Sequence, residues 1–129
     1  MSVPGAGSQD LEALWSVVLL TPNSQHINAG VVIFETGRIF GGDSWYYYTG
    51  TYQSRDGKLS ARIKSTHYAG PLGSPEIGDR PEGIIEFVET ARGRDTEGRR
   101  TIRVQGTVVE PPTQLPLVAE LTWRERLPD

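Results

Sequence analysis

The sequence predicts an all-β protein, an eight-stranded up-and-down antiparallel barrel. Fifteen glycines and nine prolines make up nearly a fifth of the 129 residues, against a usual share of about 12%. They lie between short apolar, β-branched runs, as expected where turns separate strands. Eight such runs follow one another. A two-sheet sandwich is the alternative, but closure into a barrel leaves no exposed strand edge.

The first half of the chain supplies four predicted strands, residues 14–21, 28–35, 38–40 and 44–54. Thr36-Gly37 predicts a tight turn between the second and third strands. Before the fourth strand, we interpret Gly41, Gly42, Asp43 and Ser44 as a structural β-turn in which Asp43 caps its own backbone.

The second half supplies the other four, residues 58–68, 83–91, 101–109 and 117–124. Asp56-Gly57 predicts a hairpin turn, because this dipeptide accepts positive φ angles. A Pro/Gly-rich loop over residues 69–81 is about as long as compact domains allow. The charged segment 92–100 predicts a solvated hairpin tip, and Pro111-Pro112 predicts a break in the chain. In the fifth, seventh and eighth strands, apolar residues alternate with polar ones, which indicates one face in the core.

Four consecutive aromatic residues, from Trp45 to Tyr48, open the fourth strand, and successive side chains of a strand point to opposite faces. Tyr46, Tyr48 and Tyr52 share one face, while Trp45 and Tyr47 share the other. Both faces are equally apolar, so the sequence does not decide which of them is inward.

Two candidate sites follow from this strand. The candidate ligand-binding residues of the barrel interior are Tyr46, Tyr48, Tyr52 and His67, the last of which falls in the inward register of the fifth strand. The candidate partner or dimer surface comprises Trp45 and Tyr47, because exposed ring clusters usually mark contacts.

The residues favour a binding protein over an enzyme. The chain has no cysteine and two histidines, and His26 and His67 lack the spacing of a metal site. Glu86 and Glu89 lie three apart on one strand and so face opposite ways. A catalytic site would need His67, a tyrosine and an inward glutamate to converge at one barrel mouth. We expect no catalytic residues, no metal and no cofactor.

The composition limits the number of domains and the classes of partner that the chain can have. Residues 1–10 are rich in Ser, Gly and Pro and predict a flexible tail, followed by a single β-barrel domain over residues 11–129. The net charge of −3 argues against a nucleic-acid module, which usually carries a basic face. The longest apolar run, residues 17–20, is far shorter than the ~20 residues of a membrane span. We expect a cytoplasmic protein that binds neither membrane nor nucleic acid directly.

The segments Gly-Val-Val-Ile-Phe (30–34), Gly-Arg-Ile-Phe (37–40) and Gly-Gly-Asp-Ser-Trp-Tyr-Tyr-Tyr-Thr-Gly-Thr-Tyr (41–52) resemble the GrlR-like family. These are small bacterial β-barrel proteins named after a negative regulator of type III secretion genes. The resemblance is strongest over residues 29–68. The resemblance implies a barrel of calycin or lipocalin type with an apolar cavity, usually in a homodimer. The founding member of the family sequesters a transcriptional activator through an exposed acidic loop. The nearest acids here are Glu76, Asp79 and Glu82, without a contiguous acidic run, and the resemblance adds these three residues to the candidate partner or dimer surface.

The function predicted from these features is that of a non-enzymatic regulatory barrel that binds a protein partner, a transcriptional activator by the resemblance, with a small apolar ligand as modulator. The alternative is a carrier that holds a small apolar ligand in the barrel interior. A carrier predicts a cavity of at least ~300 Å³.

Overall fold

The computed structural model describes residues 10–20, 26–74, 77–110 and 112–129, which form eight strands and no helix. The strands are β1 (Ala13–Leu20), β2 (His26–Glu35), β3 (Arg38–Gly42), β4 (Tyr46–Arg55), β5 (Lys58–His67), β6 (Glu82–Arg94), β7 (Arg100–Glu110) and β8 (Pro112–Glu125). Most of the predicted N-terminal tail, residues 1–9, lies outside the described residues, as do Glu76 and the side chain of His26.

Each strand pairs antiparallel with the next, and β8 pairs with β1, so the sheet closes into an eight-stranded barrel. The predicted fold class is therefore confirmed. Two of the hairpins have two-residue turns with positive φ at both positions, 53° and 79° at Thr36-Gly37 and 53° and 76° at Asp56-Gly57. Such turns match the right-handed twist of the flanking strands, and they fix the register of β2 with β3 and of β4 with β5.

The second half of the barrel departs from the predicted bounds. β6 and β7 continue to pair as far as Arg94 opposite Arg100, so Gly93, predicted in the loop, belongs to a strand. β8 begins at Pro112 rather than at residue 117, because Pro112 pairs with Val109 beyond an irregularity in the ladder. A proline at the first residue of a strand is tolerated, since it needs no ladder hydrogen bond there.

One end of the barrel is closed around Trp15, whose side chain is fully buried. Its ring nitrogen donates a 2.9 Å hydrogen bond to the carbonyl of Leu11. The Arg100 guanidinium lies 5.3 Å from the indole centroid and also bonds to Asp10. Residues just before β1 thus cover this end, which we call the Trp15 end.

The opposite end, the loop mouth, is covered by the segment between β5 and β6. Its residue Ile77 is buried and packs with Tyr46, Ile85 and Val108. The Ile77 side chain lies directly over Gly83, and a Cβ at Gly83 would lie 2.5 Å from Ile77 Cγ2. The loop therefore places an apolar plug in the mouth, and the lack of a side chain at position 83 makes the room for it.

Candidate functional site

The barrel resolves the two faces of the aromatic strand. Tyr46 and Tyr52 are buried, Tyr48 is partly buried, and all three point inward, while Tyr47 is exposed on the outer face. Trp45 lies just before β4 in the turn and is also exposed. The inward set is the one that contains Gly50, which pairs with Ile39 on one side and Ile63 on the other.

The turn before β4 is built on the carboxylate of Asp43. Its Oδ1 accepts hydrogen bonds from the backbone N–H groups of Trp45 (2.9 Å) and Tyr46 (2.8 Å), and its Oδ2 accepts one from the Tyr48 hydroxyl. Gly41 and Gly42, predicted in the turn, instead end β3 and pair with Val32 and Val31. One side chain thus fixes both the backbone entry into β4 and the position of an inward tyrosine.

We expect Asp43→Ala to lower the free energy of unfolding by about 2 kcal/mol, because hydrogen bonds to a charged group contribute about 1.5–3 kcal/mol. Urea denaturation measures the change. Ser44→Ala, an exposed residue of the same turn, is the matched control and is expected to change stability by less than about 0.5 kcal/mol. Equal midpoints for the two variants would contradict this role of Asp43.

Two of the predicted ligand residues, Tyr46 and His67, hold the loop at the mouth. The Tyr46 hydroxyl donates to the carbonyl of Arg80 and accepts from the N–H of Gly73, both at 3.0 Å. His67 packs edge-on against the Tyr46 ring at 5.3 Å, and its Nε2 lies 2.9 Å from the carbonyl oxygen of Gly70. Both side chains therefore fasten the loop rather than face the interior cavity.

The other two predicted ligand residues lie deeper. Tyr52 stacks on Phe34 with centroids 4.8 Å apart, as part of the packed core. Tyr48 lines a cavity of about 70 Å³ in the barrel interior. Of the four predicted ligand residues, the structure thus brings only Tyr48 to the cavity.

The cavity wall is almost entirely hydrocarbon. Tyr48 and Ser65 are the two described lining residues with polar side chains. The other described lining residues are Gly30 and residues with aliphatic or phenyl side chains. Ser65 is only 1% exposed, and its Oγ has no hydrogen-bond partner within the part of the chain that the structure describes. Ser65 lies two residues before His67 and therefore in the inward register predicted for the fifth strand, but local alternation does not predict whether its hydroxyl is paired.

On the outside of the barrel, β2–β4 carry a cluster of large exposed side chains, which we call the aromatic face. Its members are the exposed Val31, Phe40 and Tyr47 and the partly exposed Ile33 on the strands, with Tyr68 beside Tyr47 and the exposed Trp45 just before β4, where its ring lies against Gly70. The exposed fractions are 46% for Val31, 42% for Phe40 and 44% for Tyr47. The sequence identified Trp45 and Tyr47, but it did not single out Val31 or Phe40, because their exposure follows from the closed register.

Strand pairing makes the aromatic face continuous. Phe40 lies opposite Ile33, while Val31 and Tyr47 flank Gly42 on its two sides. Tyr68 lies 6.2 Å from Tyr47, centroid to centroid. Because Gly42 has no side chain, the backbone of β3 is uncovered between the side chains of Val31 and Tyr47.

The far side of the barrel is charged instead. Cross-strand ion pairs join β5 to β6 and β7 to β8; they are Arg62–Glu86, Lys64–Glu82 and Arg103–Glu120. Of the predicted loop acids, Asp79 is exposed and Glu82 is engaged in one of these pairs. The large exposed apolar side chains of the strands are therefore concentrated on β2–β4, where the Arg38 guanidinium lies 5.8 Å from the Phe40 ring centroid, and the cross-strand ion pairs lie on β5–β8.

The arginine-rich hairpin between β6 and β7 is internally paired. Asp95 accepts hydrogen bonds from the backbone N–H groups of Arg99 and Glu97, and these bonds, led by the one from Arg99, lower the pKa of Asp95 below its usual range. Arg99 also pairs with Glu97 at 2.7 Å, and Arg92 pairs with Glu89 at 2.6 Å. These charges stabilise the hairpin locally.

The groups that a catalytic site would need do not converge. His67 and Tyr46 lie at the loop mouth, whereas the inward glutamate, Glu89, accepts a 2.8 Å bond from the N–H of Leu59 near the Trp15 end. Glu86 points outward to Arg62. Among the described residues, no three His, Asp or Glu side chains are grouped so that they could hold a metal ion.

The described part of the chain contains no helix long and apolar enough to cross a membrane. No protein-family model matches the chain, and a comparison with curated proteins found no significant match.

Proposed function

We propose that the chain is a non-enzymatic regulatory protein that acts by docking another protein on the aromatic face. The observation that carries this proposal is the concentration of uncharged, exposed rings and aliphatic side chains on β2–β4, while β5–β8 display ion pairs. Contiguous apolar patches on a soluble surface usually mark a site of protein contact.

The chemistry of the aromatic face suits a protein partner. Tyrosine and tryptophan dominate the binding energy of many interfaces, because they bury a large area and keep a polar tip. Tyr47 and Trp45 supply such rings, and Val31 and Phe40 extend the apolar area across β2 and β3. These four side chains are 42–46% exposed, so burying each of them completely contributes roughly half of the about 1.5–3 kcal/mol that a fully exposed side chain gains.

A second copy of the chain is the first occupant that we propose, which makes the protein a homodimer. The resemblance of residues 29–68 to the GrlR-like family supports this state and suggests a transcriptional activator as the regulated partner. An activator that used the same face would compete with the second copy. The absence of cysteine fits a cytoplasmic protein of this kind.

A photo-crosslinking experiment tests the docking surface. Tyr47→p-benzoylphenylalanine puts a reactive ring on the aromatic face, and Val88→p-benzoylphenylalanine is the control, since Val88 is 55% exposed on β6. In native cells, we expect covalent adducts from position 47 and few from position 88. An adduct of twice the chain mass identifies a second copy, and any other adduct mass identifies a regulated partner.

Equal crosslinking at the two positions, or none at position 47, would contradict docking on this face. Sedimentation of purified Phe40→Ser provides a second readout. We expect its dimer dissociation constant to rise at least about fivefold, because removing a ring that anchors an interface costs more than about 1 kcal/mol. The control Val88→Ser is expected to dimerise like the unmodified chain.

The alternative function, a carrier of the lipocalin kind, receives less support from the interior. Pockets that bind drug-sized ligands have volumes of about 300–1,000 Å³, whereas the interior cavity of this barrel measures about 70 Å³. A larger ligand would have to displace core side chains such as Phe34 or Phe87.

A further inference from the structure

The interior cavity has an almost entirely hydrocarbon wall that contains a serine hydroxyl unpartnered within the described part of the chain. Its volume is about 70 Å³, and it lies within the barrel among Val32, Ile39, Ile63 and Phe87. Among the described residues of the wall, one polar atom, Ser65 Oγ, is inaccessible to solvent and has no hydrogen-bond partner. Buried polar side-chain atoms in folded proteins nearly always have a hydrogen-bond partner, so the exception points to a partner from outside the described chain.

A water molecule is poorly suited to be the hydrogen-bond partner of Ser65 Oγ. A buried water usually makes two to four hydrogen bonds, while apolar cavities stay dry and take up apolar molecules. Here the described lining offers two polar side chains, Ser65 and Tyr48, and the Tyr48 hydroxyl already donates to Asp43. A water beside Ser65 would therefore face hydrocarbon on most sides. A molecule with an apolar body and one polar group satisfies both the wall and the hydroxyl.

The volume limits the size of that molecule. An apolar cavity of about 150 Å³ accommodates benzene, with its six carbons, so about half of that volume accommodates three or four non-hydrogen atoms. We propose that the cavity binds a small monofunctional molecule of the short-chain alcohol or ketone class, whose oxygen forms a hydrogen bond with Ser65 Oγ. The site lies inside the barrel and does not depend on docking at the aromatic face.

A methyl NMR titration of the full chain with 1-propanol tests the site. We expect saturable shifts of the Val32, Ile39 and Ile63 methyl groups. Ser65→Ala is expected to weaken 1-propanol about five- to tenfold, the usual effect of one lost hydrogen bond. Ser60→Ala is the matched control, because Ser60 lies on the same strand in the opposite register, and its affinity should equal that of the unmodified chain.

Xenon binding distinguishes the contribution of the Ser65 hydroxyl from that of the cavity volume. Xenon fills apolar cavities without hydrogen bonding, so the unmodified chain and Ser65→Ala should bind it equally, and 1-propanol should displace it. If Ser65→Ala fails to fold, Ser65→Cys replaces it, since a thiol is a weak hydrogen-bonding group and is also expected to weaken 1-propanol but not xenon.

Three results would overturn the proposal. Xenon binding without saturable 1-propanol binding would show a purely apolar void. Equal 1-propanol affinity in the Ser65 variant and the unmodified chain would remove the hydroxyl from the site. A long-lived water beside Ser65, detected by water-to-protein Overhauser effects and not displaced by 1-propanol, would identify water as the missing partner.

Discussion

Gly50→Ala is expected to lower the free energy of unfolding by at least about 3 kcal/mol, or to prevent folding. Gly50 lies at the inward centre of β4, and a Cβ there would overlap the backbone carbonyl oxygen of Arg62 on β5 and lie 3.0 Å from the Cα of Ile63. A clash with a flexible side chain can be relieved by a rotamer change. A clash with the backbone of a paired strand requires the two strands to separate, so the cost exceeds the usual 1–3 kcal/mol of overpacking.

Gly93→Ala is the matched control for Gly50→Ala, because Gly93 is also a strand glycine but is exposed. A Cβ at Gly93 would lie 3.6 Å from Thr101 Oγ1, an ordinary contact. At such positions, replacing glycine by alanine is neutral or adds up to about 1 kcal/mol, since it reduces the entropy of the unfolded chain. Urea denaturation compares the two variants. Similar midpoints would mean that β4 and β5 do not approach as closely as the structure shows.

The example of Gly50 also shows how far the sequence could predict the fold. The barrel and most strand positions follow from local patterns, because polar and apolar residues alternate along β5 and β7 and Asp56-Gly57 defines a tight turn. The inward face of β4 does not follow, since its two faces are equally apolar. Gly50 was the available signal: a glycine among Tyr46, Tyr48 and Tyr52 indicates the side on which backbones approach.

The candidate site was less predictable than the fold, because it depends on contacts between distant segments. Phe40 and Val31 become one surface only through strand pairing, and neither belongs to the aromatic run. Ile77 and Leu72 are the two large aliphatic residues in a loop rich in Gly and Pro; Leu72 is exposed, and the burial of Ile77 depends on Gly83 and Val108 across the mouth. Local rules for loops favour solvent exposure, so they could not have identified this plug.

The second large effect that we expect is an energetic coupling between substitutions at Gly83 and at Ile77, the residue that plugs the loop mouth. Gly83→Ala is expected to destabilise the protein by about 2 kcal/mol, because its Cβ would lie 2.5 Å from Ile77 Cγ2 and 2.9 Å from the Glu110 carbonyl oxygen. Ile77→Ala alone is expected to cost about 2 kcal/mol through the loss of a buried side chain.

If the Ile77 contact dominates, the double variant Gly83→Ala/Ile77→Ala should be at least about 1 kcal/mol more stable than the sum of the single changes predicts. The remaining cost comes from Glu110, whose carbonyl cannot move without disturbing the pairing of β7 with β6. Ile77→Ala combined with Gly93→Ala provides the control cycle and should be additive, because Gly93 lies near the Trp15 end, far from the plug. Additive effects in both cycles would show that Ile77 does not occupy the space above Gly83 in solution, and the loop mouth would then lack its plug.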